Sequence, residues 1–193
     1  YRMMRRNAFC ECGAVPVTEK VSRLSTLYLA VATLFAAFAG PGAARAEEDP
    51  GYLTINAGAF DFTRSTSAAQ FGVQYRMGEK LWFIKPVVGI FGTSDSAVYG
   101  YGGFGIDLYF GKCKCVIFTP DFAVGYFEKG DGKVLGNEIE FRSGGEISYR
   151  FEDRSRIGVG IHHLSNASLG DSNPGEESFM VNYSIPINWI VGD

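Results

Sequence analysis

Only two histidines occur in the whole chain, and they are adjacent, in the run Gly160-Ile161-His162-His163-Leu164-Ser165-Asn166-Ala167. A histidine followed two residues later by a serine is a small unit with nucleophilic potential, provided both side chains share a surface. A hydroxyl attacks poorly until a neighbouring base takes its proton, and imidazole, which exchanges protons near neutral pH, suits that role. A carboxylate is the usual third partner, because it holds the imidazole tautomer and stabilises the cation that forms. Two glutamates follow closely, Glu176 and Glu177. Which of them can serve depends on the elements that carry all three groups.

Those elements read as strands, in which side chains two apart lie on one face. The apolar row Ile157, Val159, Ile161 continues into His163 and Ser165, while Gly158, Gly160, His162 and Leu164 form the opposite row. In the following segment Phe179, Val181, Tyr183, Ile185 and Ile187 are apolar, and the same row extended backward reaches Glu177; Glu176 falls on the other face. If residues 166–176 form the connection, Ser165 lies opposite Glu177 and the carboxylate is diagonal to His163. A shift of two residues puts Glu177 directly across from the imidazole. Both registers permit contact, since diagonal neighbours lie only about 7 to 8 Å apart.

The same alternation runs through the rest of the chain. Segments of roughly ten residues beginning at Tyr52, Phe71, Leu81, Val98, Cys115, Glu138, Arg156 and Glu177 carry apolar residues on one parity and polar ones on the other. The sixth is the sharpest: Ile139, Phe141, Ile147, Tyr149 and Phe151 alternate with Glu138, Glu140, Arg142, Glu146, Ser148 and Arg150. This is strand periodicity, and eight such segments have the length and even count of an antiparallel barrel that crosses a bilayer. The fold class expected is all-β, an eight-stranded antiparallel transmembrane β-barrel. Closure satisfies every backbone group where lipid offers none a partner. Short connections such as Gly111-Lys112 and Glu152-Asp153-Arg154 alternate with longer ones over 128–137 and 166–176, and long loops belong outside the cell. A soluble lipocalin-like barrel has the same strand count but turns its apolar rows inward; sequence alone leaves the choice of face open.

On the membrane reading the apolar rows face lipid, and His163, Ser165 and Glu177 converge on that surface at the outer strand ends. A basic side chain there costs roughly 2 to 4 kcal/mol at the midplane and about 0 to 1 near the interface, so placement at the rim keeps the penalty small. His162 becomes an interior residue. The bland alternative is that His, Ser and Glu only decorate an interfacial girdle, to which 16 Phe and 10 Tyr can contribute.

The first 46 residues stand apart. A basic region with Arg5, Arg6, Lys20 and Arg23, an apolar run from Leu24 to Ala39 and Ala44-Arg45-Ala46 form the pattern of a cleavable signal peptide, giving a leader over 1–46 and a barrel over 47–193. Without the leader, 12 basic and 19 acidic residues remain, a net charge of −7. That balance excludes nucleic acid as a partner, because phosphate binding needs a cationic face. Cys113 and Cys115 lie in a C-x-C turn with too few neighbouring ligands for a metal. An inert or locally oxidised pair is expected.

The run His163-Leu164-Ser165-Asn166-Ala167, followed by Asn173-Pro174-Gly175-Glu176-Glu177-Ser178 and Tyr183-Ser184-Ile185-Pro186-Ile187, resembles the lipid A 3-O-deacylases of the PagL type. The likeness is clearest over residues 157–187. It implies a barrel in the bacterial outer membrane that hydrolyses the ester of the 3-hydroxyacyl chain at position 3 of lipid A without a metal or cofactor. By position it makes His163 the general base, Ser165 the nucleophile and Glu177 the orienting acid. It also implies an oxyanion hole from the Asn173 side chain and the backbone N–H of Ser168, where the family pattern has glycine. The partner implied is lipid A of lipopolysaccharide; a homodimer stays open. The rival expectations are a non-enzymatic structural or adhesive barrel, and another lipid chemistry on the same scaffold.

Overall fold

The structure, a computed structural model, describes residues 50–65, 67–78 and 82–191. The leader expected over 1–46 lies outside these residues. The strands are β1 (Tyr52–Phe60), β2 (Ala68–Arg76), β3 (Lys85–Thr93), β4 (Val98–Gly105), β5 (Leu108–Phe110), β6 (Val116–Glu128), β7 (Ile139–Arg150), β8 (Arg156–Ser165) and β9 (Glu176–Pro186), followed by a single helical turn, α1 (Asn188–Val191). Neighbours pair antiparallel around the sheet, β1 pairs with β9, and β4 pairs with β6, so the sheet closes on itself. Both β4 and β5 lie along β6 as two pieces of one stave, which makes eight staves in all.

The expected segments recur, with β2 starting at Ala68, ahead of Phe71, and β3 starting late. The third was expected from Leu81, but β3 begins at Lys85, and Met77 N–H donates to Pro86 O at 2.9 Å as the chain enters it. Trp82 has φ of 69°, a left-handed conformation that a pleated strand does not use, so Trp82 belongs to the turn.

Parity decides which barrel this is. Ile55, Phe71, Val88, Ile90, Val124, Ile147, Val159, Ile161 and Val181 are all exposed on the outside. Arg76, Lys85, Gln70, Gln74, Arg142, Glu146, Arg156 and Asn182 are buried inside. A soluble barrel with this arrangement would show water a continuous apolar belt and bury its charges, so the exterior is the lipid surface.

The interior has two zones. Toward the end opposite the long connections, Asp107 accepts from Lys85 Nζ at 2.8 Å, Arg156 Nη1 at 3.0 Å and Thr119 Oγ1 at 2.8 Å. Asp121 accepts from Arg142 Nη1 at 2.9 Å and pairs with His162 Nε2, also at 2.9 Å. Ionised groups persist out of water only with partners of this kind. At the long-connection end Phe60, Phe91, Tyr99, Tyr101, Phe127, Leu135 and Leu164 form one buried cluster, beside the buried polar groups Asp61, Gln70, Glu140 and Glu176. Phe60 stacks on Phe127 with centroids 6.0 Å apart, and Tyr99 on Tyr101 at 5.3 Å. This cluster backs the strand ends that carry the His-Ser-Glu set. At the other end Cys113 and Cys115 are joined in a disulfide across the β5–β6 turn, the oxidised form of the pair.

Candidate active site on the lipid face

The end of β8 alternates through the barrel wall. His163 is 46 % exposed on the outside, Leu164 is fully buried in the apolar cluster, and Ser165 returns to the outer face, partly exposed. Leu164 thus anchors the strand end while its two neighbours project outward. The β8–β9 ladder pairs His163 with Glu177 and Leu164 with Glu176. Of the two registers open from sequence, the structure adopts the one that sets Glu177 directly across from the imidazole. On the other side of β8, His163 pairs with Ser143 and Ser165 with Phe141 of β7.

Glu177 Oε1 lies 3.3 Å from His163 Nδ1. The contact assigns the proton of a neutral ring to Nδ1, because a carboxylate only accepts, and leaves Nε2 as the nitrogen free to take another proton. The second oxygen, Oε2, accepts from Thr63 Oγ1 at 2.9 Å. Ser165 lies two residues beyond His163 on the same face, about 7 Å along the strand, within the combined reach of the two side chains. The imidazole rests against Gly175: a Cβ built there would lie 2.8 Å from His163 Cε1 and 3.3 Å from Nε2.

The β8–β9 connection is a tied loop. Asn166 is wholly buried, and its Nδ2 donates to Leu135 O at 2.9 Å and to Ser172 O at 2.8 Å, joining the connection to that between β6 and β7. Asn173 is exposed, and its Oδ1 accepts from Asn166 N–H at 3.1 Å. With the oxygen end of that amide held, its NH₂ end is left to donate. Ser168 differs from expectation. Its N–H donates to Asn166 Oδ1 at 2.9 Å within a turn where Ala167 and Ser168 both have positive φ, so it can serve an oxyanion only by sharing or leaving that bond.

Glu176 is inside and fully buried, where Oε2 accepts from Asp61 N–H at 3.1 Å and both carboxylate oxygens face Ser178 Oγ at 3.1 Å. It is separated from the imidazole by the wall of the barrel. The strand reading put His163, Ser165 and Glu177 on one outward face, and the structure places them on it. It missed Thr63, which reaches the cluster from a turn 114 residues away in sequence, a juxtaposition that periodicity along one strand cannot reveal.

A closed barrel with an apolar exterior, carrying a histidine, a serine and a carboxylate together on its lipid face, defines the class: a membrane-embedded β-barrel. The lipid A 3-O-deacylase (PagL) family matches residues 57–186, and the chain belongs to that family. Its fold is similar to that in the crystal structure of the outer membrane enzyme PagL, with a TM-score of 0.57 and 18 % identity over 70 % of this chain and 99 % of that one. A de novo designed transmembrane β-barrel is similar at 13 % identity, 72 % and 100 % coverage and a TM-score of 0.49. The outer membrane protein Ail of Yersinia pestis follows at 13 % identity, 70 % and 99 % coverage and 0.41. No curated protein sequence matches the chain. The chain is an outer-membrane β-barrel of a lipid A deacylase family.

Proposed function

We propose that this protein hydrolyses the ester linking the 3-hydroxyacyl chain to position 3 of lipid A in the outer leaflet, using Ser165, His163 and Glu177. Ser165 Oγ attacks the acyl carbonyl carbon as His163 Nε2 takes its proton. The imidazolium, held by Glu177, returns that proton to the departing sugar oxygen, leaving the acyl group on Ser165. Water, activated by the same imidazole, then releases the free 3-hydroxy fatty acid and restores the serine. Asn173 Nδ2 donates to the oxyanion of each tetrahedral intermediate, and Ser168 N–H joins it where the bond to Asn166 opens.

The observation that carries the reading is the 3.3 Å contact between His163 Nδ1 and Glu177 Oε1 on the surface that faces lipid. An ester at the acyl–headgroup boundary can meet this surface without leaving the membrane. A purely structural or adhesive barrel has no use for a carboxylate–imidazole pair on the surface that faces lipid.

The test is mass analysis of lipid A and phospholipids from cells that express the chain. Lipid A is expected to lose one 3-hydroxyacyl mass, and Ser165→Ala to abolish the loss while the barrel still inserts. Unchanged lipid A in expressing cells favours the structural or adhesive barrel. Altered phospholipids with intact lipid A point to a different lipid substrate.

A further inference from the structure

The turn that follows β1 lies beside the first residues of β9 and is fastened to them on both faces of the wall. Phe62 N–H donates to Glu177 O at 3.0 Å, and Asp61 N–H to Glu176 Oε2 at 3.1 Å. Arg64 Nη2 donates to Pro174 O at 3.3 Å. Outside, the Phe62 ring meets Phe179 edge-on, with centroids 6.2 Å apart. Inside, Lys133 Nζ holds Asp61 Oδ1 at 2.7 Å. Between these fastenings stands Thr63, whose hydroxyl donates to Glu177 Oε2 at 2.9 Å.

A carboxylate with one oxygen toward an imidazole can still rotate about its terminal bond, and a glutamate at a membrane rim has further rotamers that turn it toward water. A second donor on the other oxygen removes that freedom, and a hydrogen bond to an ionised acceptor is about twice as strong as a neutral one. Because the backbone carbonyl of Glu177 is held by the same turn, the residue is gripped at both ends by consecutive residues, Phe62 and Thr63.

We propose that Thr63 is a positioning residue for the reaction: its hydroxyl holds the Glu177 carboxylate in the plane that orients His163, and the β1–β2 turn thereby becomes part of the active site. This rests on the His163–Ser165–Glu177 reading above. Thr63 touches no reacting atom, so its removal acts on the chemical step and leaves substrate affinity alone.

The experiment compares Thr63→Val, Thr63→Ser and Glu177→Ala in the full barrel reconstituted in vesicles containing lipid A, with insertion checked by the mobility of unheated protein on gels. Thr63→Val keeps the shape of the side chain and deletes the donor. It is expected to lower kcat by about tenfold or more, as loss of one bond to a charged group predicts, with KM unchanged. Thr63→Ser restores the hydroxyl and is expected to recover most of the loss. Full activity in Thr63→Val beside an inactive Glu177→Ala overturns this inference and spares the catalytic reading. A loss confined to KM, or Thr63→Ser as defective as Thr63→Val, overturns it as well. An active Glu177→Ala overturns the catalytic reading itself.

Discussion

His162 and His163 are consecutive residues with the same chemistry available to each, and the barrel wall gives them opposite surroundings. His162 points inward, is 2 % exposed, and is bonded to Asp121 within the ionic interior. Its ring occupies space left by glycines, since a Cβ on Gly144 would lie 2.6 Å from His162 Cδ2 and one on Gly160 would lie 3.1 Å from Cε1. His163 points outward, keeps almost half its surface open, and lies against the Glu177 carboxylate, whose other oxygen accepts from Thr63. The interior histidine is surrounded so that it stays put. The exterior one is braced on Nδ1 and left free on Nε2, which is the arrangement a proton carrier needs. What separates the buried histidine from the exposed one is a single step along a strand.

The sharpest way to break this contrast is to delete each ring in turn. His163→Asn is expected to lower kcat on the order of 10⁶-fold, as loss of the base does in other serine hydrolases, with the barrel as resistant to urea as before. His162→Ala is expected to do the reverse. It removes a buried bond to Asp121 and destabilises the barrel by roughly 1 to 3 kcal/mol, while inserted molecules still deacylate lipid A. Measuring urea midpoints and lipid A turnover on both variants checks the pair. Equal loss of turnover in the two would show that the division between faces is not a division of function.

A second inward–outward pair refines the point in the β8–β9 connection. Asn166 is buried and spends its amide on Leu135 and Ser172, whereas Asn173 is exposed and only its oxygen is held. Asn173→Ala is expected to cost about 10² to 10³ in kcat, the range for losing one oxyanion donor, with little change in KM. Single-turnover kinetics of ester cleavage measures it. An Asn173→Ala variant as fast as the parent would remove the oxyanion role and place that burden on Ser168 N–H.

These contrasts were legible in the sequence to very different degrees. The period of two fixed which residues share a face, so the placement of Ile161, His163 and Ser165 on one side and of His162 and Leu164 on the other could be read directly from the chain. The choice of lipid or water for that side could not, because alternation is the same for both kinds of barrel; it took closure and the buried charges of Arg76, Lys85 and Arg156 to decide it. Register was also out of reach, since moving Glu177 by two residues preserves its face, and only the folded loop, tied by Asn166, sets it opposite His163. Thr63 left no trace, because its partner lies across the seam where β1 meets β9 and a single sequence carries no record of such pairings. The start of β3 was misplaced because the apolar residues Trp82 and Ile84 continue the alternation into a turn.

The smallest effect concerns the glycine on which each histidine leans, and it separates two reasons for a glycine. At Gly144 a Cβ would meet Ile161 O at 2.2 Å, a backbone atom that cannot yield, so substitution there strikes the fold. At Gly175 the first atom met is His163 Cε1, part of a side chain that can swing away, and on the proposed mechanism swinging away moves Nε2 from the position in which it would serve Ser165. Gly175 also has φ of 58°, so alanine there adds backbone strain of about 1 to 3 kcal/mol. Asparagine tolerates left-handed backbone better than alanine while still carrying a Cβ, so it separates the two costs. Gly175→Ala is expected to lower kcat by about tenfold, the equivalent of roughly 1.4 kcal/mol, and Gly175→Asn to lower it as much with less loss of stability. If Gly175→Asn instead recovers full turnover, the glycine serves the loop backbone and the imidazole does not depend on the missing Cβ.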